Sequence, residues 1–191
     1  TAAALYYTVH STLAAALLFL VADLVMERRG GDIQAQRPMV QTGLIAALFF
    51  IGAIAMAGMP PLSGFVGKLL VMDAARDHDL VWWIWTVILV GSLITIIGMA
   101  RAGSEIFWKS HDASHIREDA PEVPTDDSQP QPEEAAPAAP VLPFVACFGL
   151  LAGLVLLTVC AGPMMDYTNA TAAQLFDPNI YIDAVLRRAE P

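Results

Sequence analysis

The chain has 191 residues, 56% of them hydrophobic and 15% charged, with a mean hydropathy of +0.55. Soluble domains run near 45–50% apolar and about 25% charged, so an ordinary water-soluble domain is excluded and apolar runs of roughly 20 residues make it a polytopic membrane protein. The net charge of −9 does not describe a catalytic surface, because Glu118, Asp119, Glu122, Asp126, Asp127, Glu133 and Glu134 supply −7 of it within one proline-rich stretch free of Lys and Arg.

The first apolar run spans about Ala3 to Met26. The chain begins at Thr1, already on that run, with no signal peptide before it, and reads as the C-terminal piece of a longer protein. Within the run His10 follows Tyr6 and Tyr7. A histidine inside a span is a candidate functional group, since imidazole gains and loses a proton near neutral pH; the plainer reading is a neutral ring sealing a contact between helices. Ser11 lies beside it as an accessory hydroxyl. A polar loop from Glu27 to Pro38 follows, carrying Arg28, Arg29 and Arg37.

The next apolar tract, placed at 39–78 with its polar end, is interrupted by Gly58, Pro60, Pro61 and Gly64. Two prolines in succession remove donors and free the carbonyls four residues back, those of Met56 and Ala57. At membrane depth such carbonyls are tolerated only against protein or a wet cavity. Just beyond the break stands Lys68. A charge near the centre of a span costs about 2.5–3.5 kcal/mol even on insertion scales, and the freed carbonyls are ready partners for a cation. An amine so placed can exchange its proton; the competing reading is a side chain that snorkels to the interface. Ser63 is positioned to cap the second half of the broken helix through its hydroxyl, and Asp73, further along that half, is an accessory mouth group.

A span from Leu80 to about Ala100 opens on Trp82, Trp83 and Trp85, an interfacial anchor. Residues 101–117 carry Arg101, Lys109 and Arg117. The positive-inside rule puts both basic loops on the cytoplasmic side, so an even number of crossings separates them and tract 39–78 is one discontinuous crossing. The expected organisation is three crossings over 1–109, a disordered acidic cytoplasmic linker over 110–140, a last span over 141–162 ended by Gly162 and Pro163, and an extracytoplasmic tail over 163–191.

Cys147 and Cys160 read as apolar fillers within one run. His111 and His115 have helical spacing without a third ligand, which argues against a metal. There is no basic patch for nucleic acid, and no Walker, Rossmann, triad or iron–sulfur pattern; any redox or nucleotide chemistry belongs to other polypeptides, so no cofactor and no catalytic residue are assigned.

Several stretches resemble a known family. Leu5–Leu13 with Ala16–Leu20 and Ala22–Leu24 is similar to the histidine-bearing helix of antiporter-like membrane subunits. Met39–Val71, with Gly58, Pro60, Pro61, Gly64 and Lys68, is similar to that superfamily's broken helix, which occurs in the proton-pumping subunits of respiratory complex I and in Mrp-type antiporters. The tail segments Ala170–Leu175 and Tyr181–Leu186 most resemble the D-type subunits of the Mrp/Pha-type multisubunit monovalent cation/proton antiporters. The resemblance implies an all-α subunit of which this chain holds the last four helices, one of them discontinuous, from the second of two repeats. It further implies a proton pathway through Lys68 and His10, Na⁺ or K⁺ as exchanged ion, other antiporter subunits as partners, and a bacterial inner membrane location. A transporter subunit is expected before an enzyme; the alternative is a proton-pumping subunit of a complex I-like NADH:quinone oxidoreductase. Ala14, one turn after His10, departs from relatives that carry a lysine there.

Overall fold

A computed structural model describes residues 1–29, 41–108, 141–177 and 182. Every regular element among them is helical: α1 (Ala2–Arg28), α2 (Thr42–Ala57), α3 (Ser63–Ala74), α4 (Val81–Gly103), α5 (Val141–Val159) and α6 (Ala161–Phe176). Three helices are long and apolar enough to cross a bilayer, α1, α4 with its extension to Trp108, and α5; α2 is a shorter apolar helix. The chain is a multi-pass membrane protein.

Helix α1 is the hub, packing against α2, α3, α5 and α6. Its buried stripe runs Tyr6, His10, Ala14, Leu17, Val21, Leu24, steps of three and four residues that keep one face of a helix turned inward. Leu17, Leu24, Ile45, Leu48 and Leu154 form the centre of the apolar cluster. Lipid offers helices no hydrophobic drive to associate, so close packing must do it. Small residues allow the approach: a Cβ at Gly52 would sit 2.9 Å from Leu18, and one at Gly67 2.9 Å from Tyr7. The buried Tyr6 hydroxyl donates to the Leu157 carbonyl at 2.9 Å, pinning α1 to α5.

The tract after the polar loop is one broken helix pair. Helix α2 ends at Gly58, whose φ of 73° lies in the left-handed region, and the Met59 N–H reaches back to the Ile54 carbonyl at 3.1 Å. That is a Schellman-type end, which glycine adopts without penalty. Pro60 and Pro61 cannot continue the ladder, and α3 restarts at Ser63. Helix α4 then runs antiparallel to α3 across a short turn, with the Trp85 indole N–H donating to the Met72 carbonyl at 3.0 Å, while Trp82 and Trp83 stay 74% and 70% exposed.

Two differences from the sequence-based expectations concern helix ends. The span placed at Leu80–Ala100 continues as a π-helical turn over Ser104–Trp108, its Phe107 packed on Phe49 and Phe50; aromatic packing extends the helix past the point where hydropathy falls. The segment following the last span, read only as a tail, forms α6, which packs on α1. Pro163 opens this helix in its first turn, where no intrahelical N–H is needed. The acidic linker at 110–140, the His111–His115 pair and most of the tail beyond Asp177 lie outside the described residues.

Candidate functional site

The break between α2 and α3 carries the polar groups. Lys68 is partly buried, and its ammonium donates to the Ala57 carbonyl at 2.6 Å and to the Ser92 hydroxyl on α4 at 2.7 Å. The helical donor for the Ala57 carbonyl would be residue 61, a proline, so the ammonium takes the place of an N–H that the chain cannot supply. Gly58 makes the arrangement possible twice over. Its backbone turns left-handed, and a Cβ there would come within 2.7–2.8 Å of Lys68 Cδ, Cε and Nζ.

On the α1 side, His10 is 1% exposed and Ser63 fully buried. Their side chains share a hydrogen bond, Nδ1 to Oγ, of 2.9 Å. The expectation that Ser63 caps α3 is corrected here: Leu62 occupies the cap position without a side-chain bond, and Ser63, the first helical residue, turns its hydroxyl to His10. A buried imidazole nitrogen has a stronger claim on that hydroxyl than a helix N–H that a turn already satisfies. His10 Nε2 reaches toward the Ala55 carbonyl but makes no well-aligned hydrogen bond. Gly64 permits this closeness, because a Cβ there would run into the Ala55 carbonyl and lie 2.7 Å from Nε2.

Two polar pairs therefore flank the break, His10–Ser63 against α1 and Lys68–Ser92 against α4. Among the described residues no hydrogen bond joins His10 directly to Lys68. The structure does not bring the accessory residues Ser11 and Asp73 to either pair. Ser11 donates to the Thr8 carbonyl of its own helix at 3.0 Å. Asp73 is exposed and pairs with Arg76 at 2.8 Å.

Beside Lys68 opens a cavity of about 320 Å³, lined by Tyr7, Met56, Lys68, Gly91, Ser92 and Thr95 among others. Sequence reasoning passed over Ser92 and Thr95, since hydroxyls inside spans bond back to their own helix, as these do to Ile88 and Gly91. The one signal in the sequence was a Gly91–Ser92 step in an apolar run.

At the opposite end of α1 from Thr1, the basic residues tie three elements together. Arg28 donates to Gln41 at 3.3 Å and lies over the Phe144 ring, 5.1 Å from its centroid. Arg29 donates to the Ile106 carbonyl at 2.6 Å. Among the described residues no group of three His, Cys, Asp or Glu converges as a metal site would require.

Residues 1–95 match the family model described as NADH:quinone oxidoreductase/Mrp antiporter, TM. The chain is similar to the Na(+)/H(+) antiporter D-type subunit of Alkalihalophilus pseudofirmus, 31% identical over 97% of this chain and 34% of that protein. It is also similar to the probable K(+)/H(+) antiporter D-type subunit of Rhizobium meliloti, 26% identical over 97% of this chain and 36% of that protein. A further similarity is to an NADH-quinone oxidoreductase N-type subunit of Sorangium cellulosum, 27% identical over 82% of this chain and 28% of that protein. The chain spans about a third of the length of these relatives.

Proposed function

Because the chain belongs to the NADH:quinone oxidoreductase/Mrp antiporter transmembrane family, we propose that it is the proton-translocating part of a membrane subunit in a multisubunit Na⁺/H⁺ or K⁺/H⁺ antiporter of the bacterial inner membrane. Lys68 is the switchable charge and His10 its relay partner. The observation that carries this reading is the ammonium held at 2.6 Å by the carbonyl that Pro61 leaves without a donor. Such a partner stabilises a cation without carrying a formal charge, so the amine is not locked by a carboxylate and remains free to release its proton. The orphaned Nε2 of His10, buried against the break, is a second group able to take or give a proton.

Protonation of Lys68 changes the field at neighbouring charged sites, and that difference between two states couples the proton to movement of another ion. The antiporter reading is favoured over a redox-driven pump because the two antiporter relatives align over 97% of this chain, against 82% for the oxidoreductase relative. Residues 110–140 are proposed as a cytoplasmic linker, and the acidic turn after α3 as facing the opposite side.

The test is cation-driven proton movement in everted vesicles containing the full-length protein and its partner subunits, assayed without NADH. The wild type is expected to move protons under these conditions, and Lys68→Ala to abolish the movement with assembly intact. Undiminished transport by an assembled Lys68→Ala protein would show that the lysine serves packing only.

A further inference from the structure

Among the described residues Lys68 has two hydrogen-bond partners, and they differ in what they can do with a proton. The Ala57 carbonyl accepts from the ammonium at 2.6 Å but has no hydrogen to pass on. The Ser92 hydroxyl accepts at 2.7 Å and is itself a donor, at present to the Ile88 carbonyl at 2.7 Å. A hydroxyl has one hydrogen to give and two lone pairs to receive, so of the two partners only Ser92 can relay. Its surroundings allow the next step. The 320 Å³ cavity reaches both Lys68 and Ser92, and several waters fit in it at roughly 30 Å³ each. Gly91 leaves the cavity open, with no heavy atom within 4 Å of where a side chain would start. Thr95, one turn along α4, adds a second hydroxyl to the same wall.

We propose that Ser92 is the relay residue through which Lys68 releases its proton toward α4, which gives the broken crossing one exit distinct from the His10–Ser63 pair on the α1 side. The inference rests on the reading of Lys68 as the switchable charge. In the step, a Lys68 Nζ–H bond breaks and a bond to Ser92 Oγ forms, while the hydroxyl, turned from Ile88, gives its own hydrogen to a cavity water. Ser92 ends with one hydrogen, as it began; the amine becomes neutral and the water carries the charge away. Thr95 offers that water its next acceptor.

The experiment measures initial rates of cation-driven proton movement in everted vesicles holding the full-length subunit and its partners, across a range of cation concentrations. Variants Ser92→Ala, Ser92→Thr and Ser92→Val are compared with Lys68→Ala at matched levels of assembled complex. Ser92→Ala is expected to lower the maximal rate roughly tenfold or more, the loss of one hydrogen bond to a charged group, with the half-saturating cation concentration unchanged. Ser92→Thr, which restores the hydroxyl, is expected to recover most of that rate. A maximal rate for Ser92→Ala equal to wild type overturns the relay, as does a Ser92→Thr rate no better than that of Ser92→Ala. Should Ser92→Ala not assemble, Ser92→Val decides beside Ser92→Thr, whose shape it shares without the hydroxyl: a rate equal to that of Ser92→Thr overturns the relay and a much slower one supports it. Lys68→Ala separates the two claims. If it is inactive while Ser92→Ala is normal, only the exit is wrong; if Lys68→Ala is itself active, the proposed function fails first.

Discussion

At the scale of single residues, the site depends on positions where a side chain is missing. Gly58 combines a φ of 73° with a pocket already filled by Lys68. An alanine there meets both a left-handed backbone, which costs an L-residue about 1 kcal/mol or more, and a direct clash with the lysine stem. Gly58→Ala is therefore expected to destabilise the protein by about 1–3 kcal/mol and to push the ammonium off the Ala57 carbonyl. Thermal unfolding in detergent, measured beside transport, checks this; an unchanged midpoint with normal transport would show that the lysine has an alternative seat. Sequence made Gly58, Pro60, Pro61, Gly64 and Lys68 visible because a charge and a double proline are improbable inside an apolar tract. It made the Ala57 carbonyl visible too, by counting four residues back from Pro61. It could not show Ser92, since a serine that bonds to its own helix looks alike whether or not a lysine approaches from another element.

At the scale of elements, the contact between α1 and α3 holds His10 against the break. Gly67 sits under Tyr7 and Tyr6, the nearest atoms 2.9 and 3.4 Å from a would-be Cβ. Gly67→Val forces the two helices apart at that level, with an overpacking cost of about 1–3 kcal/mol, and stretches the 2.9 Å bond between His10 and Ser63. Reduced yield of assembled subunit and slowed transport are expected together. If Gly67→Val assembles and transports as well as the parent, the helices have more slack than this geometry allows. The same close approach explains why the role of Ser63 was misjudged from sequence: a serine after Pro-Pro-Leu looks like a cap until a buried histidine from a distant helix is placed next to it.

At the scale of the whole molecule, the two ends differ in charge. Arg28 and Arg29 meet Gln41, Ile106 and Phe144 at one end, so the start of α2, the close of the α4 extension and the start of α5 lie together there. At the other end a cavity of about 440 Å³ is lined by Thr1, Ala2, Asp73 and Asn169, which gathers the start of α1, the close of α3 and helix α6. On the proposal that the basic end is cytoplasmic, a cysteine at Asp77→Cys in a cysteine-free background is expected to react with an impermeant maleimide added to intact cells. One at Ser114→Cys is expected to react only after permeabilisation. The reverse pattern would turn the whole subunit over, and labelling of both from one side would mean that α4 does not cross the membrane.

Membrane class, the long apolar helices, the helix break at Gly58–Pro61 and the lysine beside it were all legible in the chain alone. They follow from composition and from local chemistry: apolar length, proline's missing donor and the cost of a charge in hydrocarbon. Packing in three dimensions was needed to settle which face of each helix turns inward. Helix α1 is apolar all round, so no periodicity marks the stripe through Tyr6, His10 and Leu17 that packing buries. Hydrophobicity separates lipid from water but not lipid from protein, and between helices the choice falls to fit between small residues and to a few polar bonds. That is why Lys68 could be read from the residues in order, while its meeting with Ser92, and that of His10 with Ser63, could not.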